Sequence, residues 1–190
     1  MRPDQIEPFT GVKIGPSPIG RGFRLETVQF VPQTREQIFD FFADAYKLEE
    51  ITPPWLHFSV LTPAPISMAE GTLIDYRLKL HGIPIRWKTR IAAWEPPFRF
   101  VDEQLKGPYY RWHHEHLFEP VDGGTLCRDI VDYEVPGGSL IHKYFVRGDL
   151  EKIFTYRRQQ LGVILQRRQP TAASHRPESP PKNAPVTTSV

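Results

Sequence analysis

The stretch YYRWHHEHLFEP, residues 109–120, packs two Tyr, one Trp and three His ahead of a proline. Aromatic side chains favour a pleated surface and proline is confined to strand ends and edges, so it reads as a β-strand. Alternation puts Tyr110, Trp112, His114, His116 and Phe118 on one face and Tyr109, Arg111, His113, Glu115 and Leu117 on the other. The first face is apolar with two imidazoles at its middle. A strand divided in this way belongs to a sheet with one covered side.

The same division recurs outward along the chain. In 71–82, Ile74, Tyr76, Leu78 and Leu80 point inward against Asp75, Arg77 and Lys79. In 83–96, Ile85, Trp87, Thr89 and Ile91 point inward against Arg86, Lys88 and Arg90. Residues 22–31, 56–62, 98–105 and 125–136 complete the strands. After the first of them, Thr34 and Gln37 have the spacing of a capping box, and Ile38, Phe39, Phe42 and Leu48 follow at helical intervals up to Pro53. Two short helices are expected there. Beyond Gly137 and Gly138, Ile141, Phe145, Ile153, Phe154, Leu161 and Leu165 mark one long terminal helix, with a bend expected at Gly148 and Asp149. The expected fold is α+β: a curved antiparallel sheet of about seven strands wrapped around a long C-terminal helix, with two short helices after strand 1.

Residues 1–20 contain Pro3, Pro8, Pro16 and Pro18 and read as an arm over the surface; 21–168 form the domain; 169–190 hold five prolines and are expected to be disordered. The 190 residues are 39% hydrophobic and 12% aromatic, enough for one core without staples. A lone cysteine, Cys127, excludes an internal disulfide and a cysteine-rich zinc site. The formal charge is +2 with no dense basic stripe, so nucleic acid is not an expected partner. The absence of an N-terminal apolar h-region and of any apolar run near ~20 residues predicts no secretory signal, no membrane insertion and a cytoplasmic protein.

The inner surface predicted from alternation carries Tyr76, Trp87, Asp102, Gln104, Tyr110, Trp112, His114, His116, Asp129 and Tyr133. A hairpin closed by 105–108 would set Asp102 near Trp112 and Gln104 near Tyr110. A turn at 120–124 would set Asp129 near His114 and Cys127 near His116. The two histidines then have several uses. They can close a hydrogen-bonded network with the carboxylates. With Asp129 and Gln104 they can anchor a ligand whose apolar body rests on Tyr76, Trp87, Tyr110 and Trp112. His114, oriented by Asp129, can serve as a general base. A metal between His114 and His116, with Asp129 or Cys127 beside them, is the remaining use. A two-residue spacing on an aromatic strand is common by chance, so neither metal nor cofactor is expected. The YRRQQ run of the last helix reads as a solvated face.

Several strings resemble the SRPBCC superfamily, the helix-grip proteins that include START lipid-binding domains and polyketide cyclases. They are PPWLHF (53–58), G-x-x-I-x-Y-x-L-x-L-x-G (71–82), WEPPFRFVDEQLKGPYYRWHHEHLFE (94–119), GT-x-x-x-D-x-V-x-Y-x-x-P-x-G (124–138) and IFTYR (153–157). The resemblance is closest to bacterial ligand-binding domains of the cyclase/dehydrase-like group and covers about residues 22–165. It implies a cavity for a small hydrophobic or amphipathic molecule, of lipid, isoprenoid, quinone or polyketide type. A cyclase or dehydratase using the His114–Asp129 pair is the alternative it implies, and a protein-interaction module with a packed core is a third reading.

Overall fold

A computed structural model describes residues 11–167; the first half of the expected arm and the Pro-rich tail lie outside them. The chain runs β1 (Val12–Pro16), β2 (Phe23–Val31), α1 (Arg35–Phe42), α2 (Lys47–Ile51), a 3-10 turn at Pro54–Leu56, β3 (Ser59–Val60), β4 (Leu73–Leu80), β5 (Ile83–Glu95), β6 (Arg99–Lys106), β7 (Arg111–Val121), β8 (Gly124–Glu134), α3 (Gly138–Ile141), a π-helical turn at His142–Val146, and α4 (Arg147–Arg167). The eight strands form one sheet in the order β1-β2-β8-β7-β6-β5-β4-β3, with antiparallel neighbours throughout. Two register shifts in β5, near Lys88 and near Ile91, bend that strand, as bulges do, and help the sheet curl.

One strand comes from the segment read as an arm. Val12–Pro16 pairs with Phe23–Thr27 at the sheet edge, where a proline costs no ladder bond on its free side. The turn between them is held by Asp132 of β8, which accepts from Ser17 Oγ (2.7 Å) and from Arg24 Nε and Nη2 (3.1 and 2.6 Å). Gly22 is required at this turn. Its φ is +99°, and a Cβ there would lie 2.2 Å from the Tyr133 carbonyl oxygen.

The capping box forms as expected: the Gln37 amide donates to Thr34 Oγ1, and the Thr34 amide donates to Gln37 Oε1. Residues 56–62 supply only the two-residue β3, because a 3-10 turn takes up Pro54–Leu56. The terminal helix is irregular earlier than expected, at the π turn before Gly148. That extra residue per turn rotates the face, so Phe145, expected inside, is 60% exposed while His142 is buried. His142 stacks on Phe23 at 3.4 Å and its Nε2 sits 2.8 Å from the Tyr133 hydroxyl.

Helix α4 lies across the concave face, burying Leu150, Phe154, Leu161 and Leu165. Two side chains tie β2 and its exit to it: Gln29 donates to the Arg158 carbonyl (3.0 Å), and Gln33 donates to that of Leu165. The buried apolar residues fall into three separate clusters. One joins α1, β6, β7 and the end of α4 around Phe39, Phe100, Phe118 and Leu161. A second joins β2, β8 and the start of α4 around Leu25, Trp112, Tyr133 and Phe154. The third, around Ile74, Tyr76 and Ile91, belongs to β4 and β5. A domain of this size ordinarily has one contiguous core. Here the clusters surround a hollow.

Candidate functional site

The hollow measures about 180 Å³ and draws its walls from all three clusters, including Ile74, Tyr76, Trp87, Ile91, Trp112 and Phe154. It reaches the surface near the junction of α1 and α2, where Asp44 is exposed. Its polar residues include Asp102, His114, His116 and Arg157.

Strand pairing explains how the polar groups meet. β6 places Asp102 opposite His114, and β8 places Asp129 opposite His116. Each imidazole is thereby sandwiched between two carboxylates. Asp102 Oδ2 lies 3.3 Å from His114 Nδ1 and 3.1 Å from His116 Nε2. Asp129 Oδ1 lies 3.4 Å from His114 Nε2 and 2.8 Å from His116 Nδ1. The rings are 3.8 Å apart, and His116 also stacks on Phe100 at 4.1 Å. Only the His116–Asp102 contact is aligned as a hydrogen bond; His114 Nε2 and His116 Nδ1 are buried without an aligned partner among the described residues.

The electrostatics split the two histidines. Burial lowers the His114 pKa, and the neighbouring charge on His116 adds to this, outweighing Asp102 and Asp129. Burial also opposes charge on His116, but its contacts with the two carboxylates prevail and raise its pKa. Burial likewise disfavours ionised Asp102 and Asp129, yet the imidazoles hold both carboxyls below their usual range. The two rings are thus pushed in opposite directions, His114 towards neutral imidazole and His116 towards imidazolium, beside two carboxyls that favour the ionised form. Burial lowers the pKa of the Arg157 guanidinium while Asp129 and Asp102 pull it back up. Among the described residues Arg157 has no hydrogen bond or ion pair; its guanidinium lies 5.4 Å from the Phe154 ring, facing the hollow.

Six of the ten residues predicted from alternation line the hollow: Tyr76, Trp87, Asp102, Trp112, His114 and His116. Asp129 joins them through the histidines. The other three are placed differently. Tyr110 is 74% exposed, because β7 begins only at Arg111 and the alternation does not extend back to it. Its neighbour Tyr109 enters the hollow instead, edge-on to Trp87 at 5.8 Å. Gln104 is consumed by the β6–β7 turn, donating to the Tyr109 carbonyl (2.7 Å) and accepting from its amide (3.3 Å). Tyr133 is fully buried in the packed cluster under α4 and is not part of the cavity wall.

Both predicted registers are off by two residues: Asp102 faces His114 rather than Trp112, and Asp129 faces His116 rather than His114. A slip of two keeps every side chain on its face and changes only its neighbour. Cys127 accordingly pairs with Phe118, away from the histidines, and burial pushes its thiol pKa up. Arg157, in the YRRQQ run expected to form a solvated face, instead lines the hollow. Its signal lies in the helix spacing: Leu150, Phe154, Arg157, Leu161 and Leu165 form one stripe at intervals of three and four.

Residues 31–159 match the family described as "Polyketide cyclase / dehydrase and lipid transport". Solved structures share the fold at low identity. A protein from Rhodobacter sphaeroides is 19% identical, with a TM-score of 0.59 over 83% of this chain and 99% of its own. One from Mycobacterium smegmatis is 15% identical, with a TM-score of 0.60 over 82% of this chain and 98% of its own. One from Thermus thermophilus is 18% identical, with a TM-score of 0.59 over 76% and 97%. No curated protein matches the sequence. No helix among the described residues is long and apolar enough to cross a membrane.

Proposed function

Because this chain belongs to the polyketide cyclase / dehydrase and lipid transport family, we propose that it binds a small amphipathic molecule in the hollow under α4: an apolar body of about one ring, with an acidic oxygen head. The observation that carries the reading is Arg157, a half-buried guanidinium without a hydrogen bond or ion pair among the described residues, in the wall of a cavity whose lining is mostly apolar. A guanidinium drawn partly out of water and left without a bonded partner suits an anion that arrives with the ligand.

Size limits the body. A dry cavity of about 150 Å³ accepts benzene, and 180 Å³ is only slightly larger. A monocyclic or short branched body fits inside; a longer acyl or isoprenoid chain would extend out through the opening near Asp44. Energy limits the head. Burying roughly 200 Å² of apolar ligand surface yields about 5 kcal/mol. Association costs of about 4 kcal/mol or more consume most of that. A charged hydrogen bond to Arg157, about 1.5–3 kcal/mol, then decides whether binding is useful.

A second reading has its own support. His114 is held neutral, faces the cavity and contacts both carboxylates, which suits a general base for enolisation or dehydration of a bound carbonyl compound. The hollow itself counts against a packed interaction module.

Fluorescence titration tests the binding reading, since Trp87 and Trp112 line the cavity 5.4 Å apart. 3-Phenylpropionate is expected to bind at least about tenfold more tightly than its methyl ester, the equivalent of ~1.4 kcal/mol. Equal affinities, or no binding of either, would overturn it.

A further inference from the structure

The polar end of the hollow has features that a ligand anchor alone does not require. Asp102 Oδ2, His114 Nδ1 and His116 Nε2 converge, with separations of 3.3 and 3.1 Å from the carboxylate oxygen, and all three atoms lie within 4.8 Å of one another. Donors bound at 2.0–2.1 Å around a tetrahedral ion stand about 3.4 Å apart. The carboxylate oxygen therefore already stands at metal-ligand spacing from each of the two imidazole nitrogens. Two imidazoles and one carboxylate suit zinc, iron or a neighbouring first-row ion rather than calcium or magnesium.

The far sides of the two rings supply an independent observation. His114 and His116 are 3% and 4% exposed, and His114 Nε2 and His116 Nδ1 lack an aligned hydrogen-bond partner among the described residues. Both nonetheless lie near the same atom, Asp129 Oδ1, at 3.4 and 2.8 Å. Histidines that bind a metal through one nitrogen usually offer the other N–H to a carboxylate, which fixes the ring and raises its basicity. Two carboxylates match a divalent charge, which leaves Arg157 as positive excess in the cavity.

We propose that Asp102, His114 and His116 bind one divalent first-row transition ion, with Asp129 positioning both imidazoles and the open coordination sites facing the hollow. The inference stands apart from the ligand reading, because the ion can be tested with no organic ligand present.

Cobalt(II) is the probe. Full-length protein, freed of metal by a chelator, is titrated with cobalt(II) while visible absorption and bound metal are measured. One cobalt per chain is expected, with the intense visible bands of a low-coordinate ion, a raised thermal midpoint and displacement by zinc. D102N and H116Q should each weaken binding by at least about 100-fold, and D129N by about 10–100-fold. D132N, which lies away from the cluster, should bind as the wild type does. A spectrum like that of the hydrated ion, substoichiometric binding, or wild-type binding by D102N and H116Q would overturn the proposal. If either variant fails to fold, the wild-type spectrum and midpoint shift decide the matter, since a hydrated-like spectrum without a shift refutes the site.

Discussion

Replacing Arg157 with Met should stabilise the unliganded protein while abolishing its preference for acids. The guanidinium sits on the buried stripe of α4, and burial lowers its pKa, so this environment penalises the charge. Asp129 and Asp102 act on it only at a distance; among the described residues neither forms an ion pair with it. Replacing a whole buried ion pair with apolar groups of similar volume is neutral or stabilising by about 1–4 kcal/mol. A half-buried charge without a bonded partner leaves no other group unpaired when it is removed, so this exchange belongs at the low end of that range. The carboxylates' partial compensation places this case near about 1–2 kcal/mol. For a domain of this size that corresponds to a midpoint about 2–8 °C higher. Methionine has the length and flexibility to refill the space. Urea unfolding followed by tryptophan fluorescence checks the sign, and an unchanged m-value would show that the shift is one of stability. The same variant should bind 3-phenylpropionate no better than its methyl ester. If R157M is instead destabilised by more than about 1 kcal/mol, the carboxylates hold the guanidinium as a structural element, and the argument from an unpaired charge fails. A stabilised variant that has lost acid binding is the usual mark of a site kept for function at the expense of stability.

Three further outcomes follow from the same geometry. Asp132→Asn should cost about 2–3 kcal/mol by removing charge from a carboxylate bonded to Arg24 and Ser17. Burial opposes ionisation of Asp132, but Arg24 and Ser17 prevail and hold its pKa below the usual value. Its contribution is therefore complete above the unfolded-state pKa of about 3.9. It is lost as pH falls towards the lower folded value, so in acid-denaturation curves the gap between D132N and wild type should close below about pH 4. Thr34→Ala removes the capping-box acceptor of α1 and should cost about 1 kcal/mol in equilibrium unfolding, with ligand affinity unchanged. Binding of an aryl sulfonate, which stays ionised throughout, should tighten as pH falls from 7 towards 5. An anion beside neutral His114 favours its protonation, which reverses part of the lowering caused first by burial and then by His116. Isothermal titration in two buffers should show proton uptake, and pH-independent affinity would contradict the assignment.

The two-sided pattern of 109–120 was enough to place His114, His116 and Trp112 on the covered face, because period-two alternation survives whatever the strand's neighbours are. Neighbours depend on turns. The β7–β8 hairpin closes through Asp122 and Gly123 alone, with Val121 opposite Gly124, which moves Asp129 from His114 to His116. The β6–β7 connection is clamped by Gln104, a side-chain contact with no local sequence signature. Tyr110 looked like the start of the inner row because alternation carries no mark of where a strand begins. Arg157 was hidden by its chemistry. A charged residue on a helix is usually solvated, and only its place in the apolar stripe pointed inward. The hollow arises from three clusters that fail to meet, a property of packing that no single segment encodes.

Native mass spectrometry of the full-length protein, transferred gently and then again after extraction with organic solvent, tests the central claim most directly. The account predicts that the unextracted chain carries one small acidic molecule in one-to-one ratio, that extraction removes it, and that R157M is isolated without it. A wild-type chain that is bare before extraction and takes up neither 3-phenylpropionate nor its ester would mean that the space under α4 is not a binding site.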